Sequence, residues 1–293
     1  MYNNINMKKV VIWLFGIMIV SFLIAGSIMK FDGFKGAMFR SPEKITQGDI
    51  NIVELFNAAD IKDIDANTVS TDISVIPVDS NEVKVHFYGY SRGGSSNSAP
   101  ELIAEMRGNK LDIEVRHKFN INFGFNFHNE KLKLDVYVPR SYAGNIKLGT
   151  VSGDLDISGF NLEKLDCESV SGELKISSVN TRECALNTTS GDGSARDFSG
   201  RLEFHSVSGG FNAELNKLIG DVKVSTTSGG GKLRIPEDSD FNVNFSSVSG
   251  KFDSSFTLGT KGSQSKRNFH GTAGDGTYNI NFSSTSGDFE ITK

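Results

Sequence analysis

From Ile146 onward the chain alternates apolar and polar residues in short runs, and each run is broken by the same punctuation, [ST]-[VT]-S-G. It reads TVSG at 150–153, SVSG at 169–172, TTSG at 188–191, SVSG at 206–209, TTSG at 226–229, SVSG at 247–250 and STSG at 284–287. The paired corner residues are Ser152 and Gly153, Ser171 and Gly172, Ser190 and Gly191, Ser208 and Gly209, Ser228 and Gly229, Ser249 and Gly250, Ser286 and Gly287. Successive serines are 19, 19, 18, 20, 21 and 37 residues apart. Six and four positions before each serine stand Ile146/Leu148, Leu165/Cys167, Cys184/Leu186, Leu202/Phe204, Val222/Val224, Val243/Phe245 and Ile280/Phe282, all apolar or Cys. After the serine the alternation is clear at Leu155/Ile157, Leu174/Ile176 and Phe289/Ile291. It is weaker at Gly193/Ala195, Phe211/Ala213 and Phe252/Ser254, and displaced by two at Leu233/Ile235.

Period two on both sides of a fixed break means strand, corner, strand. A sharp corner asks for Gly with positive φ, and the Ser hydroxyl is suited to capping backbone groups left over at the bend. One such coil cannot bury its own apolar face, but a stack of coils about 4.8 Å apart can. The pattern therefore predicts an all-β fold: a two-sheet right-handed β-solenoid of about 18–21-residue coils. Residues 64–75 fit the same frame as a degenerate first coil, with Thr71 in place of the Gly. Strands are expected over Val83–Tyr88, Leu102–Met106, Lys110–Val115 and Lys131–Val138, with 89–100 a flexible excursion and 119–127 a half-buried strand or hairpin. Residues 259–276 contain few apolar side chains and read as a loop. Its Lys261, Lys266 and Arg267 are the candidate contact for an anionic cell-wall polymer, with His270 beside them.

A different pattern opens the chain. Val10 to Met29 are twenty residues without a charge, and a helix of that length spans about 30 Å, the thickness of a bilayer core. Lys8 and Lys9 precede it and Lys30 follows. An uncleaved anchor is preferred over a signal peptide cut near Ala25–Ser27, because the apolar run continues to spanning length. The expected division is a cytoplasmic tail over 1–9, a transmembrane helix over 10–29, a juxtamembrane linker over 30–59 and an extracytoplasmic β-domain over 60–293, with the repeat array at 144–293. The expected location is the cell membrane, single-pass.

Composition narrows the function. The 293 residues include 31 Gly, 22 Phe and only 5 Pro, as a Gly-punctuated β protein would. The net charge of −4 offers no basic footprint for nucleic acid. No nucleophile elbow, zinc-protease helix motif, P-loop or dinucleotide fingerprint is present, so no catalytic residue, cofactor or metal ligand is assigned. His205 falls at an outward parity and reads as a surface residue. Asp154, Glu173 and Asp192 recur two positions after their serines, and a solvated acidic row is preferred there over a calcium site. Cys167 and Cys184 come from adjacent coils but two residues out of register, too far apart for a disulfide. The sequence stops at Lys293 directly after the last strand, so an open coil edge suited to self-association is expected there.

These features together carry a resemblance. The membrane helix, the VYVPRSY lead-in at 136–142 and the repeated TVSGDLDI and STSGDFEI units resemble the bacterial putative-adhesin family that includes the LiaG-like envelope proteins. Gly210, Gly230 and Lys251 depart from its S-G-[DE] motif. The resemblance implies an extracytoplasmic β-repeat domain of Gram-positive bacteria, associated with envelope-stress loci and without known catalysis. The expected function is a membrane-anchored, non-catalytic binding or scaffold module at the cell envelope, its partner a cell-wall polymer or a membrane protein. The alternatives are an accessory partner of an envelope-stress sensor, a polymerising solenoid and, less favoured, a polysaccharide-acting β-helix enzyme.

Overall fold

The computed structural model describes residues 49–92, 100–116, 129–260, 265 and 267–293. The expected transmembrane helix and the Phe/Asn run at 119–127 lie outside the described residues. Among those described there is no α-helix, and no helix is long and apolar enough to cross a membrane.

The array forms as its spacing predicts. Strands β8 (Asn145–Thr150), β9 (Leu155–Ser169), β10 (Leu174–Thr188) and β11 (Gly193–Ser208) lie parallel, each hydrogen-bonded to the next. The register sets Ile146 on Leu165, Leu165 on Cys184 and Cys184 on Leu202, so the apolar columns read from sequence are columns in space. β9, β10 and β11 are long because each runs through a second corner the sequence reading did not place. It falls where Gly159 (φ 76), Ser178 (φ 53) and Asp197 (φ 53) adopt left-handed backbone at one position of three successive coils. The stack therefore has two columns of strands, one before the Ser-Gly corner and one after it. Their inner faces meet in a single core, as when Phe204 packs on Phe211 with ring centroids 5.2 Å apart.

The degenerate first coil is real. Strands β2 (Asp63–Asn67) and β3 (Asp72–Val78) lie parallel to β8 and β9. On its other side sits a further coil made of β6 (Lys110–Arg116) and β7 (Asn129–Pro139), also parallel. Antiparallel strands finish this end: β5 (Glu101–Arg107) on β6, then β4 (Glu82–Arg92) on β7 and β1 (Asp49–Asn57) on β4. The end of the expected juxtamembrane linker is thus a strand of the domain.

The other end departs from the expected serial order. The fifth coil is β13 (Val222–Ser228) and β14 (Gly231–Arg234), which follow β12 (Phe211–Leu215). The sixth is β15 (Phe241–Ser247) and β16 (Phe252–Ser254), and the seventh β19 (Tyr278–Ser286) and β20 (Phe289–Thr292). The seventh lies between the other two: β19 pairs with β13 and β15, and β20 with β14 and β16. The last coil is therefore interior, and the chain terminus offers no open coil edge of the kind expected for self-association. The segment read as a loop over 259–276 contains β17 (Gly259–Thr260) and β18 (Asn268–Ala273), and β18 covers β15 in antiparallel fashion. It escaped notice because the inward positions of β18 are Phe269, Gly271 and Ala273, with only one large apolar side chain. The displacement by two in the fifth coil is also absent. Gly231 keeps the standard register and leaves the space that the Phe289 ring fills; a Cβ there would sit 2.8 Å from that ring.

Candidate functional site

The Ser-Gly corner was the strongest motif in the sequence, and its groups are structural, though not in the way expected. None of the seven motif glycines has positive φ. They are Gly because each lies against the carbonyl of the coil beside it. A Cβ on Gly172 would sit 2.0 Å from the Gly153 oxygen, and one on Gly191 the same distance from that of Gly172. The capping hydroxyl is also a different one. Ser152, Ser171, Ser190, Ser208, Ser228, Ser249 and Ser286 point outward as an exposed row. At two corners the residue two positions earlier caps the bend: Gly153 N–H donates to Thr150 Oγ1 (3.0 Å), and Thr226 Oγ1 donates to the Gly229 carbonyl (2.8 Å), whereas the equivalent hydroxyls of Ser169, Thr188, Ser206 and Ser247 are buried without a partner.

The acidic row has a structural task. The N–H of Glu173 donates to Asp154 Oδ1 (2.9 Å), that of Gly210 to Asp192 Oδ1 (2.6 Å) and that of Lys251 to Asp288 Oδ1 (2.8 Å). Each carboxylate satisfies the next coil where the strand ladder is interrupted. Gly210 and Lys251 can lack an acid because they need only supply the N–H. Among the described residues no group of three or more His, Cys, Asp or Glu is gathered to hold a metal ion.

Cys167 and Cys184 are buried free thiols on a diagonal, Cys184 opposite Leu165 and Cys167 opposite Leu186. Burial pushes both thiols well above their ordinary value, which keeps them as unreactive apolar fillers. Lys261 and Lys266 lie outside the described residues. Arg267 is exposed, and its carbonyl accepts the Ser247 N–H (2.8 Å). His270 pairs with Asn244 Oδ1 through Nδ1 (2.8 Å).

His205 does face outward, but its side chain is only 17% exposed. Burial, then the nearby Lys223, push its imidazole below the ordinary 6.5, with Glu203 opposing at 3.5 Å. As the pH falls through about 6.5 the unfolded chain takes up a proton that the folded chain resists, so the folded state loses stability from there downward. Replacing His205 with Gln is expected to flatten this loss, as seen by comparing urea midpoints of the two proteins between pH 8 and 5.5.

One surface does not follow the repeat. It is the outward face of β1, β4, β7 and β3, where antiparallel register sets Leu55 beside Lys84 and Lys84 beside Tyr137, and the parallel register of β7 on β3 sets Tyr137 beside Ile76. The next row runs Val53, His86, Asp135 and Ser74, and the next Asn51, Tyr88, Lys133 and Asp72. Asp135 is only 8% exposed although it points outward. Tyr88 Oη and Tyr137 Oη both donate to its Oδ2, at 3.1 and 3.3 Å. Burial, together with the charge of Asp135, raises both phenol pKa values, so the hydroxyls stay protonated donors. The rings are held in place: His86 stacks on Tyr88 with centroids 4.5 Å apart, and Lys84 Nζ lies 3.8 Å over the Tyr137 ring. His86 Nε2 also meets Asn51 Oδ1 at 2.8 Å. At the margin Val53 and Leu55 are 48% and 56% exposed, two of only four large apolar side chains described as exposed. The sequence reading passed over this surface. Its one signal is that three of the six Tyr, residues 88, 90 and 137, fall at outward parity on two strands while Phe87 points in.

Comparison with solved structures finds remote likenesses. A structure titled as a putative adhesin from Bacteroides fragilis NCTC 9343 is 14% identical, with a TM-score of 0.41, over 83% of this chain and 97% of that one. One titled as a putative cell adhesion protein from Clostridium sporogenes ATCC 15579 is 11% identical, with a TM-score of 0.37, over 83% and 99%. One titled as a putative lipid binding protein from Parabacteroides distasonis ATCC 8503 is 14% identical, with a TM-score of 0.41, over 82% and 96%. No curated protein matches the chain. The family model described as Toastrack DUF4097 matches residues 61–292, nearly the whole described stack, and the chain belongs to that family.

Proposed function

We propose that this protein is a membrane-anchored module of the bacterial cell envelope, of the LiaG-like kind, that binds a partner outside the cytosol without transforming it. The observation that carries the reading is the preorganised Tyr, His, Lys and Asp face on the N-terminal end of the stack. At the corners Asp154, Asp192 and Asp288 are spent on the backbone of neighbouring coils, whereas here rings and hydroxyls are fixed at the surface with no repeat to support. Rigid aromatic side chains on a solvated sheet face are what recognition surfaces use. Of the corner carboxylates, which an enzyme of the polysaccharide-acting kind would need for acid–base work, Asp154, Asp192 and Asp288 accept backbone N–H groups and Glu173 pairs with Lys175.

The test is made in cells with the full chain. A crosslinkable residue placed at Leu55 is expected to capture an envelope component, and protease added to intact cells after wall removal is expected to cleave the stack. Protection of the stack from external protease would reverse the topology and end the reading.

A further inference from the structure

We propose that the face of β1, β4, β7 and β3 binds a glycan strand, whose hydroxyls pair with Asp135 while its C–H faces rest against the flanking rings and apolar side chains; the proposal rests on the binding-module reading above. The arrangement of polarity selects this occupant. A protein interface has an apolar centre and a polar rim. Here the order is reversed: Val53 and Leu55 mark one margin and Ile76 the other, and the centre is a carboxylate between two phenols. An added peptide strand needs free backbone groups; β4, β7 and β3 are paired on both sides, so among the described strands of this face only the outer edge of β1 could take one, at the margin and two strands away from Asp135. A sugar chain needs none. It needs an acceptor that can take hydroxyl protons, donors that can reach ring or hydroxyl oxygens, and apolar flanks for its C–H groups.

Each requirement has a named group. Both tyrosine hydroxyls fall on Asp135 Oδ2, which leaves Oδ1 as the acceptor. The ammoniums of Lys84 and Lys133 stand in the rows on either side as donors, and the Asn51–His86 pair adds an amide and an imidazole. The four strands span about 14 Å, wide enough for a short oligosaccharide but small for a stable protein interface. Because the rings are already stacked and the phenols already bonded, little side-chain freedom is lost when the ligand arrives.

The experiment measures binding of the full chain, in detergent, to three probes: peptidoglycan strands stripped of peptide, a panel of immobilised host-type glycans, and phosphatidylglycerol vesicles. Retention on the first two is expected, the stronger one identifying the source. Asp135→Asn and Tyr88→Phe are each expected to weaken it at least tenfold with unchanged melting temperature, and Glu290→Gln, distant on the same column, to leave it unchanged. Glycan binding unaffected by both variants would overturn the assignment of the face while the binding-module reading stood. Capture of a protein through Leu55, or retention on vesicles alone, would overturn the glycan. Failure of every probe together with failure of crosslinking in cells would remove the underlying reading as well.

Discussion

Gly209→Ala is expected to destabilise the protein by about 3 kcal/mol or more, whereas Gly210→Ala, one residue further on, is expected to change stability by less than about 0.5 kcal/mol. The two glycines are neighbours in sequence and both half-buried, yet they meet different surroundings. A Cβ on Gly209 would sit 1.9 Å from the Gly191 carbonyl oxygen, a backbone atom fixed by the coil beside it. Relief would require the coils to separate, and the next coil is as close on the other side, where a Cβ on Gly229 would sit 2.0 Å from the Gly209 oxygen. A Cβ on Gly210 finds its nearest atom, Asp192 Oδ1, at 3.5 Å, which is ordinary contact, and the Gly210 N–H stays free to donate to that oxygen. Urea unfolding of the two variants beside the parent measures the difference. Equal midpoints would mean that the coils can part at the corner at little cost, and the explanation of the motif by close approach would fall.

The repeat shows why much of this fold was legible. Columns such as Ile146–Leu165–Cys184–Leu202 and Leu148–Cys167–Leu186–Phe204 are visible because period two and period nineteen act on the same residues, and a slip of one would turn every side chain to water. The corner glycines were legible as necessary but not for the right reason. Conformational freedom and close approach select the same residue, and only the position of the neighbouring carbonyl tells them apart. The second corner was illegible because its left-handed position is filled by Gly159, Ser178 and Asp197, three different residue types. The outward face at the N-terminal end was illegible because nothing in the repeat predicts it. Its antiparallel pairing joins Tyr88 to Asp135 across 47 residues, a distance at which no local pattern speaks.

Removal of residues 278–293 is expected to cost far more than an end coil should. In a serial stack the last coil has one neighbour, and its loss would expose one face. Here β19 and β20 stand between two coils, so their removal strips the partners from Val222 and Val224 on one side and from Val243 and Phe245 on the other. The core loses Phe282, stacked 5.5 Å from Phe245 and 4.5 Å from Phe289, and with them the rings that fill the space left by Gly231. Replacing Phe282 alone with Ala is expected to cost about 3–5 kcal/mol, the usual range for a buried phenylalanine. The connection between the fifth and sixth coils is shaped to step over the inserted one: the Ile235 N–H donates to the Thr292 carbonyl, and the Asp240 carbonyl accepts the Tyr278 N–H. Without the insert that connection has nothing to bridge, and β15 with its covering β18 has no fixed place on the stack. Hydrogen exchange and limited proteolysis of the truncated chain are therefore expected to show loss of protection over 241–273 and along β13, with 145–208 still folded. A truncated chain that kept the melting temperature of the whole would mean that Val243 and Phe245 dock directly on Val222 and Val224, and that the inserted coil adds nothing to the stability of that end.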